Sequence, residues 1–308
     1  MRALLAGEVQ RLLARRLVRV LALIAVVAIT LAGILTFLNT EGVSAAEISA
    51  RQRRARAELE ACLERSASEV GPPEAPEGPG APPISPEERC SFAVGAVDDP
   101  RFALSDLKGI LQATTGPLVV VAWLIGASSI GADWQSRTIT TILTWEPRRP
   151  RVLLAKAAAS ALVACAFAVA AGMLLSAALL PSAYLHGTTA GTGGSFGRSL
   201  AGVALRGTAM VAIASTLGFA VSSIGRNTAA ALGIGFGYFV VFENVVGGFL
   251  EDYRRWLLLG NAIVLVSGEN EGGDVFGRTV LEAGVYLAAV ALVLLASATL
   301  LFRRRDVA

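Results

Sequence analysis

Histidine is almost missing from this chain: His186 is the single one in 308 residues. A metal centre or a general base built on several imidazoles is therefore excluded. His186 lies in a Gly/Ser/Thr-rich stretch and reads as an exposed loop residue. Lysine is scarce too; Lys108 and Lys156 are the only lysines among 27 basic residues. Neither closes a G-x-x-x-x-G-K-[ST] sequence, so the chain has no P-loop with which to bind and hydrolyse ATP itself. Charge is absent over long stretches. The carboxylates that proton- or sodium-coupled carriers place near the membrane midplane are not there. Glu243 and Glu282 fall at the ends of apolar runs and read as interfacial. No paired His, Asp or Ser constellation suggests an intramembrane enzyme, and no catalytic residue, metal site or nucleic-acid partner is expected.

Hydrocarbon side chains are abundant. The chain is 54% hydrophobic with mean hydropathy +0.60, above the usual 45–50% of soluble domains. Six runs are long enough to cross a ~30 Å hydrocarbon core as helices: residues 20–38, 110–130, 157–180, 207–224, 228–246 and 283–302. The expected fold is thus an all-α integral membrane protein with six transmembrane helices. Residues 1–19 mix Leu4, Leu5, Val9, Leu12 and Leu13 with arginines, as suits a helix in the cytoplasmic interface. The first run is too long for a cleaved signal peptide and lacks a clean small-x-small site, so it reads as a retained anchor. Residues 39–108 form a long polar segment. Its helix covers about residues 45–70, and its linker, 71–86, carries seven prolines. Between the fifth and sixth spans, 247–282, a ~12-residue apolar patch at 256–267 is too short to cross and fits a re-entrant or interfacial segment. The tail is 303–308.

Orientation follows from arginine. With the N-terminus inside, the inside segments (1–19, 131–156, Arg226 and the tail) hold fourteen of the 27 Lys and Arg but only four of the 24 Asp and Glu. The positive-inside bias then places both termini in the cytoplasm. Cys62 and Cys90 fall in the first outside segment, where an oxidising compartment permits a disulfide. The alternative is two free thiols. Cys165 lies mid-span and reads as a small hydrophobe. Gly233 and Gly237 form a G-x-x-x-G, a close-packing signal either within the protomer or between two copies.

The most informative stretch is Gly131–Lys156, GADWQSRTITTILTWEPRRPRVLLAK. Read as one helix, it sets Trp134, Thr138, Thr141, Ile142 and Trp145 on one face. Arg137, Thr140 and Thr144 point elsewhere. Pro147 and Pro150 end the helix, and Arg148, Arg149 and Arg151 return the chain to the headgroups. A plain interfacial helix is the modest reading; a docking element for a cytoplasmic partner is the sharper one.

This stretch resembles permease subunits of type-2 ATP-binding-cassette (ABC) exporters. The shared pattern is Gly-Ala-Asp-Trp-Gln-Ser-x-Thr, then Thr-x-Leu-Thr-x-x-Pro-x-Arg and a later Lys. It maps Asp133, Thr138, Leu143, Pro147, Arg149 and Lys156 onto the family's helix between the second and third spans. Where the family usually has Gly before the Thr, this chain has Arg137. The resemblance implies a coupling helix over Asp133–Trp145, with Trp134, Arg137, Thr141 and Trp145 in contact with a separate ATPase subunit. It also implies a second permease protomer, identical or related, in the lipid of a bacterial plasma membrane. No cofactor is expected in this chain; ATP and Mg²⁺ would sit on the partner. On that reading, replacing Asp133 or Arg149 uncouples hydrolysis from transport without unfolding the protein. The alternative is a membrane scaffold or sensor that works through residues 39–108.

Overall fold

A membrane-crossing backbone must satisfy its own N–H and C=O groups, so a chain of long apolar runs has the helix as its natural solution. The computed structural model describes residues 2–40, 45–68, 90, 101–145, 148–249, 251–268 and 278–304. The Pro-rich linker and Pro147 lie outside them, as do the side chains of Leu143 and Trp145. The helices are α1 (Arg2–Ala14), α2 (Arg16–Asn39), α3 (Ala45–Ser68), α4 (Leu107–Gln135), α5 (Thr138–Trp145), α6 (Arg149–Pro181), α7 (Phe196–Gly225), α8 (Thr228–Phe236), α9 (Glu243–Phe249), α10 (Leu258–Ser267) and α11 (Val280–Arg304). A wider π turn, Gly237–Phe242, joins α8 to α9. Strands are absent among the described residues. Six segments are long and apolar enough to span a membrane: α2, α4 with its leading turn, α6, α7, the α8–α9 unit and α11.

These helices outrun the apolar windows that mark them. α6 has 33 residues, about 50 Å at 1.5 Å per residue, against ~30 Å of hydrocarbon. Their ends extend past the apolar slab and carry the charges. Asp133 is therefore inside α4 and Lys156 inside α6, not on a connecting loop.

The chain divides into two compact units. The larger comprises 1–34, 105–179 and 191–308, with α4 and α7 at its centre. Glycines let these two backbones meet. A Cβ at Gly126 would collide with the Ser215 carbonyl, and one at Gly218 with that of Trp123. Ile125, Ser215, Phe219 and Ser222 along the seam are fully buried. The G-x-x-x-G does not mark a contact of this kind: a Cβ at Gly233 or Gly237 would meet nothing within 4 Å. Gly235 between them is the packed one, its Cβ position 3.0 Å from the Trp123 ring. Composition hides this distinction, because in a chain with 32 glycines spacing alone does not say which face another helix covers.

The smaller unit, 35–104 and 180–190, contains α3 and a disulfide between Cys62 and Cys90. His186 is half-buried in it, against expectation, with its ring 4.7 Å from that of Phe37. The 28-residue separation of the bridged cysteines corresponds to about 3–4 kcal/mol of loop-closure entropy. Replacing both by Ser is therefore expected to speed proteolysis at α3 under oxidising conditions. Unchanged cleavage rates would show that the bridge contributes nothing.

Candidate functional site

Four charged side chains of the larger unit meet where α4 ends and α6 begins. The Lys156 Nζ is 2.6 Å from Asp133 Oδ2 and 2.7 Å from Glu8 Oε2. Arg15 Nη2 donates to Asp133 Oδ1 at 2.9 Å and to the Ser129 carbonyl at 3.2 Å, and its Nη1 donates to the Ser128 carbonyl. Lys156 is only 2% exposed, and Glu8 and Asp133 are buried as well. Two acids and two bases form a formally neutral group, with both Asp133 oxygens occupied. Burying charge is tolerable only when it is paired and hydrogen-bonded in this way. Arg11 adds a looser contact to Glu8 at 3.5 Å.

This cluster joins three elements that are far apart in sequence. Glu8 comes from α1, Arg15 from the one-residue break between α1 and α2, Asp133 from α4 and Lys156 from α6. Leu12 and Val18 pack beside it into a core with Ile125, Ala159 and Val163. The N-terminal helix is therefore anchored to the larger unit by ion pairs and by burial.

Beyond Asp133 the chain turns. The Ser136 N–H and Oγ both bond the Ala132 carbonyl at 2.9 Å. Arg137 then takes a left-handed backbone with φ of 55°, a conformation that glycine adopts without steric cost. This accounts for the family's usual Gly at that position. It also corrects the expectation of one continuous helix over Asp133–Trp145. α4 stops at Gln135 and α5 starts afresh at Thr138, so the register linking Trp134 to Thr138 and Trp145 is broken. Trp134 instead lies under the Arg226 guanidinium at 5.0 Å, with its ring edge-on to Phe302 at 5.9 Å. Gln135 donates to the Asn227 side chain at 2.8 Å. α5 is anchored by Ile139, which joins Ile130, Leu153, Phe219 and Phe302 in a buried cluster. Thr141 and Thr144 are exposed, as are Arg137 and Arg148 in the flanking turns.

The residues singled out in the sequence thus separate into two sets. Asp133 and Lys156 are buried in internal ion pairs, and Trp134 is half-buried against Arg226 and Phe302. Arg137, Thr138, Thr141 and Arg149 sit on or beside α5. Glu8, Arg15, Arg226, Asn227 and Phe302 complete the arrangement and were not foreseen. Glu8 offered the one available signal: an isolated acid on an arginine-rich, Leu-containing helix. Among the described residues no group of three or more His, Cys, Asp or Glu could hold a metal ion.

Six helices long and apolar enough to span a membrane, with no strand among the described residues, define a multi-pass helical membrane protein. The chain belongs to the ABC-2 family of transporter proteins, whose family profile matches residues 3–307. It is accordingly a membrane permease subunit of an ABC transporter. No curated protein matches it.

Proposed function

We propose that this permease is an exporter driven by a separate ATPase subunit that docks on α5, and that it works as a dimer of permease protomers in a bacterial plasma membrane with both termini cytoplasmic. The observation that carries the reading is the contrast at the α4–α6 junction. The ionic groups beneath α5 are internally satisfied, while Thr141 and Thr144 on α5 face outward. A helix mounted on so rigid a base can be pushed without deforming its mount. Closure of an ATPase dimer would move α5, and the Glu8–Arg15–Asp133–Lys156 cluster would carry that displacement into α1, α4 and α6 together. Transport then amounts to a population shift between two packings of the spans. The arginine distribution supports the orientation.

Thr141→Glu and Thr144→Glu test the docking surface without touching the cluster. Co-purified with its ATPase and reconstituted, each variant is expected to lose about tenfold or more of its stimulated hydrolysis, since each buries an unpaired charge at a contact. The permease itself should remain folded. Wild-type coupling in both variants would remove α5 as the docking element.

A further inference from the structure

Within the larger unit, α4, α7, α8, α10 and α11 line a half-open cavity of about 720 Å³. Its walls include Val119, Trp123, Leu217, Phe239, Leu259 and Ile263. The volume falls within the roughly 300–1,000 Å³ of small-molecule sites. A space so apolar, within spanning helices, is not one that water fills. Its natural content is hydrocarbon.

One wall is the short helix α10, and both of its ends are tied down by side chains from other helices. At its N-terminus the Glu243 Oε1 accepts the Leu259 N–H at 2.9 Å. At its C-terminus the Ser267 carbonyl accepts from Gln112 Nε2 at 2.7 Å and from Arg206 at 3.4 Å. A carboxyl group at the start and a guanidinium and an amide at the end satisfy terminal groups that a bilayer leaves without water. Gly268, with φ of 71°, lies directly against the Arg206 guanidinium.

Arg206 is the group this clamp does not use up. A guanidinium has five N–H donors, yet among the described residues this one makes a single long hydrogen bond, and its Nε is buried without a partner there. Two of the residues at its end of α10, Gln112 and Ser267, also line the cavity. A cation with unused donors thus stands beside the rim of a hydrocarbon-shaped space.

We propose that the cavity seats an acyl chain of an anionic lipid from the surrounding bilayer, with its phosphate held at Arg206. Guanidinium and phosphate match in charge and in planar, two-point geometry. Glu243, at the opposite end of α10, does not compete for this role because it is committed to the helix N-terminus and does not line the cavity. The inference requires only that the chain lies in a membrane, and it holds or fails independently of the ATPase reading.

The test uses the full-length protein in vesicles that carry photoactivatable phosphatidylglycerol or photoactivatable phosphatidylcholine at equal amounts. Labelled peptides are then mapped. Wild type is expected to be labelled on α4, α7 and α10, at least about tenfold more by the anionic lipid. Ala262→Phe on α10 and Ala113→Phe on α4, both lining the cavity, are expected to cut that labelling to about a tenth. Arg206→Gln should abolish the preference for the anionic lipid, and Arg206→Lys should retain most of it. Equal labelling by both lipids in wild type would overturn the headgroup assignment. Labelling that survives both filling variants would overturn the cavity as the seat. Cross-links between two copies through α10 would show instead that a second protomer covers it.

Discussion

Lys156→Met is expected to lower the stability of the larger unit by about 3–5 kcal/mol, the usual cost of stranding the partners of a broken buried ion pair. The methionine fills most of the space that lysine occupied, so lost packing is a minor part of the effect. The cost is electrostatic. Glu8 and Asp133 would stay buried, with Lys156 no longer 2.6–2.7 Å from each, leaving Arg15 on Asp133 and the looser, exposed Arg11 on Glu8. Thermal unfolding in detergent should show the loss directly. A double-mutant cycle supplies the internal check: Glu8→Gln removes one of the stranded charges, so Glu8→Gln with Lys156→Met should be clearly less destabilised than the sum of the single changes. Strict additivity would mean that the two groups are not coupled.

Asp133→Asn belongs in the same set. It is expected to destabilise, because it deprives both Lys156 and Arg15 of their shared anion. Sequence pattern led to the opposite expectation, that an Asp133 variant would fold normally and merely uncouple. The resemblance singled out Asp133, but a motif does not say whether a carboxylate faces a partner or its own chain. Loss of transport in an Asp133 variant is therefore no evidence for docking unless stability is measured beside it. The exposed Thr141 and Thr144 provide the clean test.

Much of the architecture was legible because hydropathy reports the very property a membrane imposes. Apolar runs announced all six spans, and the short patch ahead of the last span announced α10. What stayed hidden depends on neighbours distant in sequence. Glu8 and Lys156 are 148 residues apart, and in an arginine-rich N-terminal helix a single glutamate looks like any solvated charge. Hydropathy also counts Asp133 and Lys156 as reasons to end a span. In fact each helix continues through its charge, because the ion pair compensates what hydropathy scores as a penalty. The break at Ser136–Arg137 was masked for a related reason: periodicity is blind to one left-handed residue, and the glycine that would have signalled it is an arginine here. Glu243 lies buried inside the Thr228–Phe249 segment rather than at its end, and its role as a cap for α10 depends on a contact 16 residues away.

Gly126→Val should be the most damaging single substitution in the α4–α7 seam. Between membrane helices packing carries the association, because lipid tails are as apolar as the helix faces they would replace. Even the first carbon of a side chain at residue 126 would overlap the Ser215 carbonyl, and a backbone atom in the middle of α7 cannot swing aside as a flexible side chain would. The two helices must separate. Interior overpacking typically costs about 1–3 kcal/mol, and the separation would also loosen Ile125 and Phe219, both fully buried. The variant is therefore expected to fail to accumulate or to run as an aggregate in size-exclusion chromatography. Gly233→Val is the matched control, since its Cβ meets nothing within 4 Å in the protomer and a monomer should tolerate it. If Gly126→Val behaves like wild type, the close approach of α4 and α7 is wrong. If Gly233→Val yields a folded protein that no longer pairs with a second copy, the open glycine face is where two protomers meet.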